Sequence, residues 1–139
     1  MSSRCGLIEH TADLGLWVEA EGLAELFEAA ALALARVMVA GPREGDLTWR
    51  ELDLQAGDLV ELMVQMLGEV VYLWDAEGLL VAAAQVQEIG PRRLRARLGV
   101  VPADPERHAP GEPVKAVTYH RAKVERQGEG WRAEVILDV

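Results

Sequence analysis

The apolar residues of this chain keep two different periods, and the order in which the periods change leaves few folds open. From 23 to 38, Leu23, Leu26, Phe27, Ala30, Leu34, Val37 and Met38 recur at spacings of three and four, the single stripe of an amphipathic helix. Gly22 precedes it and Gly41-Pro42 ends it, while Glu25 and Glu28 in its early turns complement the helix dipole. A second stripe runs through Leu59, Leu62, Met63, Met66, Leu67, Val70, Leu73 and Trp74. Asp58 is its expected N-cap, with Glu61 three residues on where a capping box puts it, and Asp75 to Gly78 is the exit turn. The rest of the chain alternates. Leu14, Leu16 and Val18 mark a first strand, and 47–54 a second, whose apolar parity slips between Trp49 and Leu52 as a bulge or a short irregular edge would make it. Strands are then expected at 79–87, 93–101, 114–125 and 131–137, with turns at 89–92 and 127–130. Segment 102–113, with Pro102, Pro105, Pro110 and Pro113, reads as a loop.

Two helices with one apolar face each are most economically buried on one side of a sheet. The predicted fold is therefore an α+β two-layer sandwich: one mixed or mostly antiparallel sheet with both helices packed on one face, in a single domain spanning 1–139. A doubly wound α/β fold is excluded, because the later strands are joined by turns too short for crossovers.

Composition narrows the chemistry. Ser occurs only at Ser2 and Ser3, in an expected mobile terminus, which argues against a serine nucleophile. No Gly-x-x-x-x-Gly-Lys run exists, so there is no P-loop. Residues 1–90 carry 4 basic and 16 acidic side chains, and residues 91–139 carry 10 and 7, within a net charge of −9. An acidic first part argues against direct, stable nucleic-acid binding and suits a basic protein partner or a cation, or simply a solvated surface. No apolar run is long enough to span a membrane, and the first residues lack a secretory pattern, so a cytoplasmic protein without membrane attachment is expected. Cys5 is the only cysteine, which fits a reducing compartment, and no activating partner is evident for it.

The residues that could do chemistry lie mostly at the two ends. Asp13 stands at the first residue of a buried strand, and the last alternating segment ends in Asp138 and Val139. If these strands are neighbours, Asp13, Asp138 and the end carboxylate of Val139 could converge on one hard cation, Ca²⁺ or Mg²⁺, with Mn²⁺ a further candidate. The alternatives are a turn or cap carboxylate for Asp13 and a solvated charge for Asp138. His10 could orient Asp13 from a second layer. His120 reads as a half-buried, hydrogen-bonded histidine, and no Cys/His spacing suits zinc. Lys115, Tyr119 and Arg121 could line a polar surface; Arg93, Arg95 and Arg97 form either a solvated outer stripe or a phosphate contact.

Five segments together carry more than spacing can. They are Glu9-His-Thr-Ala-Asp13-Leu-Gly-Leu, the helix Leu26-Phe27-Glu28-Ala29-Ala30, Glu77-Gly-Leu-Leu, Val114-Lys-Ala-Val-Thr-Tyr-His120 and the ending Val135-Ile-Leu-Asp138-Val139. In this order, through nearly the whole chain, they resemble the archease family; 41–56 follows no pattern of that family. The resemblance implies a small cytoplasmic α+β protein that holds a divalent cation, usually Ca²⁺, at Asp13, Asp138 and Val139. It implies a non-catalytic activator of an RtcB-type RNA ligase, promoting guanylylation and multiple turnover of the ligase in tRNA splicing and RNA repair. It also brings the alternative of a chaperone-like modulator of a tRNA or DNA cytosine methyltransferase. A small metal-dependent phosphoesterase using the same two aspartates is the enzymatic alternative, with His10 or His120 as base.

Overall fold

A computed structural model describes residues 2–9 and 13–139, with Glu9 described by its main chain alone. The elements run β1 (Ser3–Glu9), β2 (Leu14–Ala20), α1 (Leu23–Met38), β3 (Val39–Ala40), β4 (Thr48–Gln55), α2 (Leu59–Glu77), β5 (Leu79–Ile89), β6 (Arg93–Pro102), β7 (Ala109–Pro110), β8 (Ala116–Gln127) and β9 (Gly130–Asp138). The α+β class and the antiparallel pairing are as predicted, and α1 occupies the residues that its stripe marks. In α2, Asp58 accepts the Glu61 N–H at 2.8 Å, and Glu61 reaches back to the N–H of Gly57 at 3.1 Å. Gly78, at φ 65, ends this helix in the left-handed conformation that glycine adopts without steric cost.

The strands do not share a single sheet. Four form one sheet in the order β1-β2-β9-β8, three form another in the order β4-β6-β5, and β3 pairs with β7 as a two-residue ribbon. The division has a physical cause at β5, whose free edge meets α1 in place of another strand: Glu28 accepts the Val86 N–H at 2.8 Å. Helix α1 packs against β2 and β9 of one sheet and β5 of the other, and α2 against β8, β5 and β4. The helices thus form a layer common to both sheets. Between them lie Leu26, Phe27, Leu34, Leu62, Met63, Leu67, Leu94, Leu98 and Leu137, each 0% exposed. Burial of one such side chain contributes about 1.5–3 kcal/mol.

Three further expectations about the strands need correction. Ser3, expected in a mobile terminus, begins strand β1, which pairs with β2 from Ser3↔Ala20 to Glu9↔Leu14. The second strand has no bulge: β4 pairs with β6 without interruption from Thr48↔Val100 to Gln55↔Arg93. Its parity slips because Trp49 points to the other face, where the Arg97 guanidinium lies 4.1 Å from its ring centroid. The irregularity lies instead in β8, which pairs regularly through Thr118↔Ile136 and resumes at Lys123↔Glu134. Only Val135 of β9 stands opposite the four residues 119–122, and within them Arg121 is held at φ 60.

Candidate functional site

Strands β2 and β9 are direct neighbours, and their last antiparallel pair is Leu14↔Leu137. Leu137 is fully buried and Leu14 partly so, which anchors both main chains to the core. Asp13 immediately precedes Leu14 and Asp138 immediately follows Leu137, so the two carboxylates leave the same end of one strand pair, and both are exposed. One further step of the same register brings the two residues opposite each other. Asp138 is fixed from its other side as well, since its main chain pairs with Ala116 and its carbonyl accepts the Lys115 N–H at 2.7 Å. Val139 packs partly against the core, and its main-chain oxygen follows Asp138 directly. Two carboxylates and a main-chain oxygen form an oxygen-only donor set of the kind hard divalent cations take. Among the described residues no group of three His, Cys, Asp or Glu side chains is placed to hold a metal. Further side-chain donors would have to come from outside that set, and His10 lies outside the described residues.

The other candidates resolve individually. Arg93 pairs with Asp53 at 3.1 Å and Arg95 with Glu88 at 3.6 Å. Arg97 donates to Gln85 at 2.8 Å and lies over Trp49. The arginine stripe is therefore engaged within its own sheet. His120 is exposed in the irregular part of β8, not half-buried as expected, because the extra residues lift that segment off the β9 ladder. Tyr119, Arg121 and Lys115 are exposed too, and Cys5 is an exposed thiol on β1. His108 does more than its loop position suggests. Its Nδ1 accepts the Asp104 N–H at 2.9 Å and its Nε2 lies 2.6 Å from the Pro42 carbonyl, clasping two loops together. As an acceptor at Nδ1, the ring serves this clasp in its neutral form, donating from Nε2.

An aromatic and ionic ladder that residue spacing does not announce lies on the outer face of the four-stranded sheet. Trp17 has the Arg4 guanidinium 5.6 Å from its ring centroid and the Arg132 guanidinium 4.9 Å away. Glu19 accepts from Arg132 at 2.7 Å and Gln127 at 2.8 Å, and pairs with Arg4 at 3.1 Å. The Arg132 hydrogen bond chiefly, then that of Gln127, holds the Glu19 carboxyl below its ordinary range. Hydrogen bonding to Glu134, and then to Glu19, raises the Arg132 guanidinium above its own. The residues are visible as the outward set of two alternating strands, but their partnership depends on β1, β2 and β9 lying side by side.

Residues 6–139 match the archease protein family (MTH1598/TM1083). The chain is 38% identical over 135 residues to the protein archease of Pyrococcus furiosus, covering 94% of this chain and 95% of that protein. It is 34% identical to the protein archease of Methanosarcina mazei, covering 95% and 93%. Among solved structures, the solution structure of Methanobacterium thermoautotrophicum protein 1598 aligns with a TM-score of 0.70 at 26% identity, over 97% of this chain and 98% of the other. The crystal structure of a Thermotoga maritima archease, described as a possible chaperone, shares the fold with a TM-score of 0.61 at 21% identity, over 95% and 94%.

Proposed function

We propose, from the premise that this chain belongs to the archease family, that it is a cation-holding accessory protein that activates an RtcB-type RNA ligase. The observation that carries this reading is the β2–β9 register, from which Asp13 and Asp138 leave as an exposed pair at one end of a rigid strand ladder. Asp13, Asp138 and the main-chain oxygen of Val139 would hold the ion, Ca²⁺ or a similar hard cation. A divalent ion bound there supplies positive charge that can bind and orient phosphate oxygens. The chain's own part is positional. The core-packed Leu14–Leu137 pair and the Lys115–Asp138 hydrogen bond keep the carboxylates in place while they are offered to a partner. The acidity of residues 1–90 complements a basic surface around a nucleotide site on the ligase. Alignment of nucleotide, metal and nucleophile in this way promotes guanylylation and repeated turnover of the ligase without covalent chemistry by the activator.

The test is guanylylation of the cognate ligase with and without the protein, and with Asp138→Ala. Stimulation by the native chain and its loss in the variant are expected; undiminished stimulation by Asp138→Ala would remove the carboxylate pair from the mechanism.

A chaperone role is the second reading. The exposed apolar or aromatic side chains of Leu7, Tyr72 and Tyr119, about half accessible, favour it. It predicts suppression of partner aggregation that survives replacement of both aspartates.

A further inference from the structure

The last turn of α2 carries no basic residue to offset the negative end of its dipole, and it holds two acids, Asp75 and Glu77. Glu77 is neutralised by Arg50. Asp75 forms no ion pair among the described residues, and neither do Glu112 and Lys115. The proline-rich segment from Pro110 to Lys115 runs past this helix end, fastened to the last turn of α1. The Gly111 N–H donates to the Met38 carbonyl at 2.7 Å, and the Glu112 N–H to that of Val37 at 2.9 Å. Between segment and helix lies a cavity of about 380 Å³, lined by Trp74, Pro110 and Pro113 together with Asp75, Glu112 and Lys115. Its volume falls in the range of sites that enclose a small organic group.

We propose that this cavity takes an arginine side chain of the protein partner. The indole of Trp74 offers a π surface for a cation, and the two prolines are walls with little conformational freedom to lose. Two carboxylates and a helix C-terminus outweigh the one ammonium of Lys115, which leaves the cavity selective for positive charge. Arginine fits better than lysine, because a planar guanidinium can stack on the indole and present its forked donors to carboxylates at the same time. A nucleotide would bring its phosphates against Asp75, Glu112 and the negative helix end. The Lys115 N–H to Asp138 carbonyl bond joins the cavity rim to the carboxylate pair, so one partner surface can engage both. Only the identity of that partner rests on the function proposed above; the arginine preference follows from the cavity.

The test is a titration of the intact protein with N-acetylarginine amide, followed through the Trp74 indole N–H resonance. A saturable shift is expected, weakened about tenfold or more in Asp75→Asn/Glu112→Gln, as loss of charge-assisted hydrogen bonds implies. N-acetylcitrulline amide, equal in shape but uncharged, should not bind. A shift that does not saturate, equal binding of the citrulline amide, or tighter binding of AMP would overturn the proposal. Circular dichroism and an unchanged urea midpoint of the double variant establish that it is folded. Because Asp138→Ala should abolish ligase stimulation yet leave the arginine titration intact, failure of either idea is recognised separately.

Discussion

The carboxylate of Glu28, on α1, accepts the main-chain N–H of Val86 at 2.8 Å, from 58 positions away along the chain. Val86 lies on β5, at the edge of the three-stranded sheet, where an unpaired N–H would otherwise invite another strand. Glu28→Ala leaves that part-buried donor unsatisfied and should cost about 1–3 kcal/mol. Glu28→Gln keeps an acceptor and should cost less. Urea denaturation midpoints of the two variants check the order.

Arg121 should be replaceable at a gain. Its φ of 60 places a Cβ-bearing residue in the left-handed region, while its side chain is exposed. Arg121→Gly removes the steric penalty and should stabilise the protein by about 0.5–1 kcal/mol, less than the full penalty because glycine loses more chain entropy. The denaturation midpoint should rise with an unchanged slope.

The outer ladder and two ion pairs outside it should make stability depend on acid. Hydrogen bonds chiefly, from Arg132 and Gln127 to Glu19, from Arg93 to Asp53 and from Arg50 to Glu77, hold these carboxyls below their ordinary values of 4.5, 3.8 and 4.5. A carboxyl that binds its proton more weakly folded than unfolded stabilises the fold fully above its unfolded pKa. That stabilisation is lost as pH falls through the folded value. Denaturation midpoints should therefore be level from pH 7 down to about 5 and decline below that, less steeply in high salt. Arg132→Gln should lower the midpoint at pH 7, and its difference from the native chain should shrink as the pH falls below the carboxylate range.

The proposed cation binding at the paired aspartates has a readout independent of any partner. A saturating Ca²⁺ concentration, a hundredfold above the dissociation constant, would stabilise the folded protein by about 2.7 kcal/mol and raise Tm by several degrees. Asp138→Ala and Asp13→Asn should each abolish that rise. Both side chains are exposed, so the metal-free variants should stay within about 0.5 kcal/mol of the native chain.

What the sequence makes legible depends on how far a residue's partner lies. The limits of α1 follow from its own spacing and from Gly22, and the cap of α2 from Asp58 and Glu61, so local chemistry suffices for both. The two parity slips are the instructive failure. Trp49 breaks the alternation of a regular strand because Arg97 supports it from the neighbouring strand. The change from Val117 to Ala122 and Val124 marks a true irregularity, yet it reads as continuous strand. Only the opposite strand distinguishes the two cases. Strand β1 is missed because an edge strand bearing Arg4, Cys5 and Gly6 has little apolar alternation to show. The aspartate pair is legible as two acids near the ends of the chain; their common register is a property of the ladder between them.

The four-stranded sheet joins the beginning of the chain to its end, and the three-stranded sheet is made wholly from the middle. Glu19 and Arg132, bonded across β2 and β9, are 113 positions apart. Closing so long a loop carries a large entropic cost, whereas the β5–β6 hairpin closes over a short turn. On the ribosome, β5 and β6 can pair while β9 is still unmade, and β2, which can pair with β1 at once, waits for almost the whole chain before its second edge is filled. A newly made molecule would thus gain its carboxylate pair only once β9 has been made, so that uptake of the proposed cation would report on completed folding.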